Sequence, residues 1–121
     1  MRTVYNSGRV KEQVVLKRCR DLIREIVPEA TVILYGSRAR GDAKPDSDYD
    51  LLILVKGPVD WNLEDRIRDK LYPLELETGA VLSIAAFSED DWNSPLYRAM
   101  PFNQNVRQEG ITLFTISPED C

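Results

Sequence analysis

A chain of 121 residues with 43% hydrophobic and 30% charged residues has the composition of one soluble domain with a modest core, and we predict a single domain over residues 1–121. No stretch approaches the ~18 apolar residues of a membrane span, and the N-terminus lacks the apolar core of a signal peptide, so we expect a cytoplasmic protein without membrane contact. The net charge is −4, and after residue 60 the chain carries 5 Lys and Arg against 11 Asp and Glu, which argues against a nucleic-acid surface.

The residue types that are missing narrow the chemistry further. The chain contains no histidine, which removes the commonest general base. Its two cysteines, Cys19 inside a helical pattern and Cys121 at the terminus, form neither a disulfide framework nor, without histidine, a zinc site. Any catalysis must therefore rest on carboxylates and metal.

The first predicted element is an amphipathic helix over residues 9–27. Five apolar residues share one face at helical spacing: Val15, Cys19, Leu22, Ile23 and Ile26. Asn6 or Ser7 is the predicted cap, and Pro28 ends the helix. We interpret its charged residues as a solvated surface in preference to an interaction face.

A short apolar strand over residues 31–35 leads into Gly36, where the chain can turn sharply and bring backbone N–H groups close to an anion. Ser37 adds a hydroxyl donor. A helical turn from Ser37 through Arg40 would point its free N–H groups and positive dipole end at the same place, which suits a triphosphate. Gly36 and Ser37 are therefore predicted to bind phosphate.

The two arginines of this turn have an open assignment. Arg38 and Arg40 are both candidates for phosphate contact. Arg40 has a second interpretation, because Asp42 and Asp46 are close enough in sequence to pair with it.

Asp48 and Asp50 stand at the head of a strand predicted over residues 49–55, so their side chains leave the same face about 6–7 Å apart along the chain. Magnesium takes a few carboxylates and completes its octahedron with waters and substrate phosphates. Asp48 and Asp50 are therefore the predicted metal ligands and catalytic residues, with Mg²⁺ or Mn²⁺ as the cofactor. The strand is apolar at nearly every later position, which predicts a central place with both faces covered.

Two competing motifs fail on spacing. Gly36 and Gly41 frame a G-x-x-x-x-G, but Asp42 stands where a P-loop requires lysine, and its carboxylate would repel phosphate. The aspartates at 46, 48 and 50 begin like an EF-hand, but Leu51 occupies the position that the calcium loop reserves for glycine, and Gly57 that of the bidentate glutamate.

The next predicted helix opens at Asn62, which forms a capping-box pattern with Asp65. Its buried side is predicted to contain Leu63, Ile67, Leu71 and Leu74. Pro73 is expected to end or kink this helix, with a separate turn over residues 74–78.

The rest of the chain alternates strands and short helices. A strand is predicted over residues 80–87, followed by a short helix capped by Ser88, whose acidic first turn we interpret as favourable helix-end charge. A last helix over residues 102–109 and a closing strand over 111–116 complete the pattern. The predicted fold is α+β, a small mixed sheet with helices packed on it.

The segment GSRARG followed by SDYDLLILV resembles the minimal nucleotidyltransferase family of the DNA polymerase β-like superfamily. The close match covers about residues 32–55, with ten residues between the G-S pair and the D-x-D pattern. The resemblance implies the polymerase β-like nucleotidyltransferase fold and the transfer of a nucleoside monophosphate from a triphosphate such as ATP to an acceptor hydroxyl. The acceptor is then either a small molecule or a hydroxyl of another protein, and the pairing with a helical protein of the HEPN type that the resemblance also implies favours the second.

The resemblance fails at one position. Family members carry a third carboxylate on the strand after the second helix, thought to activate the attacking hydroxyl, and by alignment Ser83 occupies its place. Glu75, Glu77 and Glu89 would substitute only if the fold brought one of them near Asp48. The alternative function is therefore a catalytically weak or inactive binding protein, the antitoxin-like partner of a HEPN-type protein.

Overall fold

The computed structural model describes residues 10–113, with side chains from residue 12 onward. The helices are α1 Val10–Ile26, α2 Ser37–Arg40, α3 Leu63–Thr78, α4 Glu89–Trp92, α5 Pro95–Arg98 and α6 Pro101–Glu109. The strands are β1 Thr31–Tyr35, β2 Tyr49–Val55, β3 Leu82–Ser88 and β4 Ile111–Thr112. The predicted α+β class is confirmed. The predicted cap at Asn6 or Ser7, strand residues 114–116 and Cys121 lie outside the described residues.

The strands form one mixed sheet in the order β3-β2-β1-β4. Strand β1 runs antiparallel to both β2 and β4, whereas β2 and β3 are parallel. The register places Tyr35 opposite Asp50, and Asp50 opposite Ser83. One end of the sheet therefore collects the last residue of β1 and the first residues of β2 and β3.

Helices cover both faces of the sheet, because the inner strands are apolar on both sides. One face packs against α1 and α3 and holds the larger core, including Leu34, Leu51 and Ile67. The other packs against α4 and α6 around Trp92 and Val106. Every residue of β2 except Asp50 is buried, so the predicted central place of this strand is confirmed.

Helix α3 does not end at Pro73, and the separate turn predicted over residues 74–78 belongs to the same helix. The helix continues through Pro73 to Thr78 and does not stop there. Leu71 and Leu74 are both buried on either side of the proline, whereas Pro73 itself is exposed. Packing of the leucines favours an unbroken helix, and the hydrogen bond that proline cannot donate is lost on the solvent side.

Several helix boundaries also differ in detail from the prediction. Asn62 precedes α3, but its side chain makes no capping hydrogen bond, so the predicted capping box is wrong. The Ser88 cap is confirmed, since its hydroxyl accepts a hydrogen bond from the Asp91 N–H at 3.1 Å. Pro95 and Pro101 each open a short helix at a position where the missing N–H costs nothing.

Among the described residues, no helix has the length and apolar character that crossing a bilayer would require.

Candidate functional site

The turn after β1 and the first carboxylate of β2 are in direct contact. Gly36 has φ +78°, a backbone conformation that side chains with a Cβ rarely adopt. A Cβ placed on Gly36 would lie 2.2 Å from Oδ2 of Asp50. Glycine is therefore required twice here, and the structure brings the predicted phosphate turn against one of the two predicted metal ligands.

Asp50 lines the cavity beside this turn, whereas Asp48, which interacts electrostatically with Asp50, is not among the lining residues. Asp50 is half-buried and Asp48 is exposed. Burial, and after it the negative charge of Asp48, raises the pKa of Asp50, while the nearby Arg40 guanidinium lowers it. A bound cation would offset both the burial of the charged form and the repulsion by Asp48, so this carboxylate is chemically suited to be a metal ligand.

Arg38 does not face this site. Its side chain is buried, forms an ion pair with Glu12, and stacks with its guanidinium carbon 4.0 Å from the centre of the Tyr49 ring. It also donates hydrogen bonds to the carbonyls of Ser47 at 2.8 Å and Pro45 at 3.2 Å. These contacts hold the loop between α2 and β2, so the geometry gives Arg38 a structural task.

Arg40 faces the open side of the same short helix. Its Nε donates to Asp42 Oδ2 at 3.3 Å, which confirms the predicted Arg40–Asp42 pair. Its Nη1 donates to Oε2 of Glu109 at 3.0 Å. The same Glu109 oxygen accepts the Gly36 N–H at 2.6 Å. Two donors of the predicted phosphate turn thus converge on one carboxylate oxygen.

A cavity of about 350 Å³ opens over the turn. Its lining consists of Tyr35, Gly36, Ser37, Arg40, Asp50, Phe102, Asn105, Val106 and Glu109. Ser37 therefore faces the same space as Gly36, Arg40 and Asp50, whereas Arg38 is absent from the lining. Burial and the negative charge of Asp50 raise the pKa of Tyr35, so this hydroxyl stays protonated.

Ser83 lies beside Asp50. The two residues are register partners on parallel strands. Ser83 lies on the same face of β3 as Ala85 and Phe87, which pack on the same face of the sheet as Leu52. Ser83 is exposed. A carboxylate at position 83 would therefore stand on the same sheet face as Asp50, where the resemblance expects a third acid.

The three glutamates considered as substitutes lie elsewhere. Glu75 accepts a hydrogen bond from the Leu82 N–H at 2.9 Å, and Glu77 pairs with Arg18 on α1, across the sheet from Asp50. Glu89 begins α4 after the far end of β3. Within residues 10–113, no three His, Cys, Asp or Glu side chains converge in a way that would hold a metal ion.

Three residues of the cavity were not predicted from the sequence as part of the site: Glu109 and the aromatic pair Tyr35 and Phe102. The two rings meet edge to face, with their centroids 5.4 Å apart. Glu109 reaches the turn because β4 pairs with β1, with Ile111 opposite Leu34. The apolar run after Glu109 and Gly110 was visible in the sequence, but its strand partner was not.

Comparison with known proteins identifies the family of the chain. Residues 16–95 match the family model described as nucleotidyltransferase domain. The chain is 36% identical over 70 residues to the probable protein adenylyltransferase MntA of Haemophilus influenzae, an alignment that covers 57% of this chain and 61% of that protein. It is 37% identical over 83 residues to the MJ0604 protein of Methanocaldococcus jannaschii, also named as a protein adenylyltransferase, covering 69% of this chain and 76% of that one.

Solved structures resemble the fold. A crystal structure of a toxin-antitoxin with AMP-PNP superposes with a TM-score of 0.57 at 18% identity, covering 93% of this chain and 78% of that chain. A mutant of the toxin-antitoxin MntA-HpeT gives a TM-score of 0.57 at 20% identity, covering 87% of this chain and 76% of that one. At these identities the likeness concerns the fold.

Proposed function

This chain belongs to the nucleotidyltransferase domain family, and from that membership we propose that it transfers AMP from ATP to a hydroxyl group on a partner protein. The names of its relatives, protein adenylyltransferases, support the choice of nucleotide and of a protein acceptor. The aligned segment spans 61% of the length of the Haemophilus protein.

The observation that carries the proposal is the contact between Gly36 and Asp50. A triphosphate bound at the Gly36–Ser37 turn would lie against the Asp50 carboxylate, since Oδ2 stands 2.2 Å from the position of a Gly36 Cβ. The Asp50 carboxylate stands so close to the donors that would bind phosphate that it would repel a nucleotide without a cation. A nucleotide that carries a divalent cation would bind, because the cation neutralises this repulsion.

The residues present fit such a cation. Asp48 and Asp50 supply two carboxylates, and Mg²⁺ characteristically binds one or two carboxylates together with substrate phosphates and waters. Burial, and after it the negative charge of Asp48, raises the pKa of Asp50, and a cation beside this carboxylate would offset both effects. When bound, Mg²⁺ or Mn²⁺ would neutralise charge that develops on the phosphates during transfer.

We assign the phosphate contacts to three residues that share the cavity. The Ser37 hydroxyl and the Gly36 backbone are donors, and the Arg40 guanidinium adds a positive charge. In the reaction, the acceptor oxygen attacks the α-phosphorus, the bond from that phosphorus to the bridging oxygen breaks, pyrophosphate leaves, and the hydroxyl proton passes to solvent. The residues of this chain orient the nucleotide, and the acceptor hydroxyl approaches through the open side of the cavity.

We extend the proposal to the partner. The chain resembles the toxin-antitoxin structures in fold, which supports a second protein as the acceptor. A helical protein of the HEPN type is the partner that the family resemblance favours. Such a partner would bring its own hydroxyl to the open side of the cavity.

The test is label transfer. The purified chain is mixed with ATP labelled at the α-phosphate, Mg²⁺ and the protein encoded by its neighbouring gene. We expect labelled AMP on that protein and an equal amount of released pyrophosphate, with Asp50→Asn reducing both about 100-fold or more. Equal labelling by wild type and Asp50→Asn, or no transfer to any hydroxyl, would contradict the proposal.

A second candidate is favoured by one observation, the serine beside Asp50. A missing general base typically costs ~10²–10⁴-fold in rate, so a chain with Ser83 in place of an acid would bind nucleotide and partner while transferring slowly. Ser83→Asp decides between the two, with Ser83→Asn as the uncharged control.

If the serine limits catalysis, Ser83→Asp should raise label transfer. It should also lower the melting temperature in EDTA, because three carboxylates then repel one another, and it should gain more from Mg²⁺ than the control does. Equal melting of Ser83→Asp and Ser83→Asn in EDTA would place residue 83 outside the carboxylate cluster.

A further inference from the structure

Glu109 is a carboxylate inside the candidate site that has no part in the transfer proposed above. It ends α6 and reaches across to the turn after β1, a contact between residues far apart in sequence. Its Oε2 accepts hydrogen bonds from the Gly36 N–H at 2.6 Å and from Arg40 Nη1 at 3.0 Å. A negatively charged oxygen therefore already accepts hydrogen bonds from the Gly36 N–H and Arg40, two of the donors assigned to phosphate.

This oxygen occupies the place of an anion. A backbone N–H and a guanidinium that converge on one oxygen are the partners that phosphate oxygens find in proteins, through short charge-assisted hydrogen bonds. Neither the Gly36 N–H nor Arg40 Nη1 can serve Glu109 and a phosphate at full strength together. A nucleotide that uses these donors must displace the carboxylate.

The backbone around Glu109 is held in place, so displacement is a side-chain event. A Cβ on Gly110 would lie 2.4 Å from the Val106 carbonyl oxygen and 2.8 Å from Cγ2 of Ile33, which shows how tightly this residue is packed. Ile111 then pairs with Leu34 in the sheet. The Glu109 side chain is 21% exposed and lines the open cavity, so it borders space into which it can move.

We propose that Glu109 is an internal competitor for the phosphate subsite, which holds the Gly36 N–H and Arg40 until a polyphosphate displaces it. The inference rests on the proposed function, because it assumes that the ligand of this subsite is the phosphate chain of a nucleotide. Competition of this kind sets a threshold. Weakly bound anions fail to displace the carboxylate, and a polyphosphate with its cation succeeds.

The experiment compares three proteins: wild type, Glu109→Gln and Asp42→Asn. Asp42 is the matched control, because it also pairs with Arg40 but does not contact the Gly36 N–H in the structure. Each protein is titrated with inorganic pyrophosphate and, separately, with ATP, both with Mg²⁺. Affinity is measured by calorimetry and the Gly36 amide is followed by ¹⁵N NMR.

Glu109→Gln should bind pyrophosphate on the order of tenfold more tightly than wild type, since the competing charge-assisted bond is removed. Pyrophosphate should shift the Gly36 amide at lower concentration in Glu109→Gln than in wild type, and Asp42→Asn should change affinity much less. Unchanged or weaker binding by Glu109→Gln, or an equal gain in Asp42→Asn, would overturn the inference.

The two ligands separate this inference from the proposed function. If Glu109→Gln gains affinity for pyrophosphate while no variant binds ATP, the competitor role stands and the nucleotide function fails. If ATP binds wild type and Glu109→Gln equally well, the function stands and the competitor role is refuted.

Discussion

The short helix α2 presents its two arginines to different regions, and the two regions serve different ends. Arg38 points into a buried cluster with Glu12 and Tyr49, where its donors are taken up by a carboxylate and by loop carbonyls. Arg40, two residues on, lies at an open cavity where its partners are exposed or half-buried carboxylates. A closed set of contacts stabilises the fold, whereas an open set leaves donors that a ligand can recruit. The pair teaches that burial separates a structural arginine from a candidate binding arginine within one motif.

Removing Arg38 should have the largest effect on stability. Arg38→Met removes the guanidinium that forms an ion pair with the buried Glu12 carboxylate, so we expect a loss of about 3–5 kcal/mol in the free energy of unfolding. Urea denaturation followed by circular dichroism measures it. Arg40→Ala, at an exposed position, should leave the urea midpoint nearly unchanged.

A double variant supplies the control for Arg38. Glu12→Leu combined with Arg38→Met removes both charges, and should recover much of the stability lost by Arg38→Met alone. If Arg38→Met unfolds at the wild-type midpoint, the buried region is no more structural than the open one and the comparison fails.

The next prediction contrasts two glycines of the turn that both have positive φ. Gly36→Ala must fit a Cβ 2.2 Å from Asp50 Oδ2, whereas a Cβ on Gly41 would meet no atom within 4 Å. Both variants have the backbone cost of about 1–2 kcal/mol, and only Gly36→Ala also displaces the carboxylate. We expect Gly41→Ala to keep ATP binding and Gly36→Ala to lose it, as measured by calorimetry at a temperature where both are folded. Loss of binding in both variants would mean that the turn's conformation matters and its contact with Asp50 does not.

The smallest effect concerns the charge of Asp50. Its pKa is raised above that of an unfolded aspartate, first by burial and then by Asp48, so the folded state holds the proton more tightly than the unfolded state. Stability is therefore lost as pH rises from the unfolded pKa through the folded one. Asp50→Asn removes this penalty and should melt modestly higher than wild type at pH 7, with the difference shrinking toward pH 3. Thermal melts across that range, without metal, provide the check. A variant that melts lower at pH 7 would make Asp50 part of a stabilising network.

Much of this fold was predictable because its signals are local. The apolar runs of β1 and β2, the glycine between β1 and α2, and the spacing of Asp48 and Asp50 each depend on neighbouring residues. Their meeting in space then follows from one antiparallel pairing, Tyr35 opposite Asp50. The course of α3 through Pro73 was not predictable in this way, because burial of Leu71 and Leu74 overrides the local preference of proline.

The remaining features of the site depend on distant contacts. Glu109 meets Gly36 only because β4 pairs with β1, and no pattern near residue 109 indicates that partner. Which arginine is buried and which lines the cavity likewise depends on how α2 is rotated against Tyr49, since the Arg38 guanidinium stacks on that ring. Sequence supplied both arginines as candidates, and the orientation of the helix separates them.

We expect the Gly36 turn and the carboxylates of Asp48 and Asp50 to bind a nucleotide together with its divalent cation. Calorimetric titration of the wild-type protein with ATP, once with Mg²⁺ and once with EDTA, tests it most directly. We predict binding with Mg²⁺ and none detectable in EDTA, because the carboxylates otherwise repel the phosphates. Equal affinity in EDTA, or no binding under either condition, would contradict it.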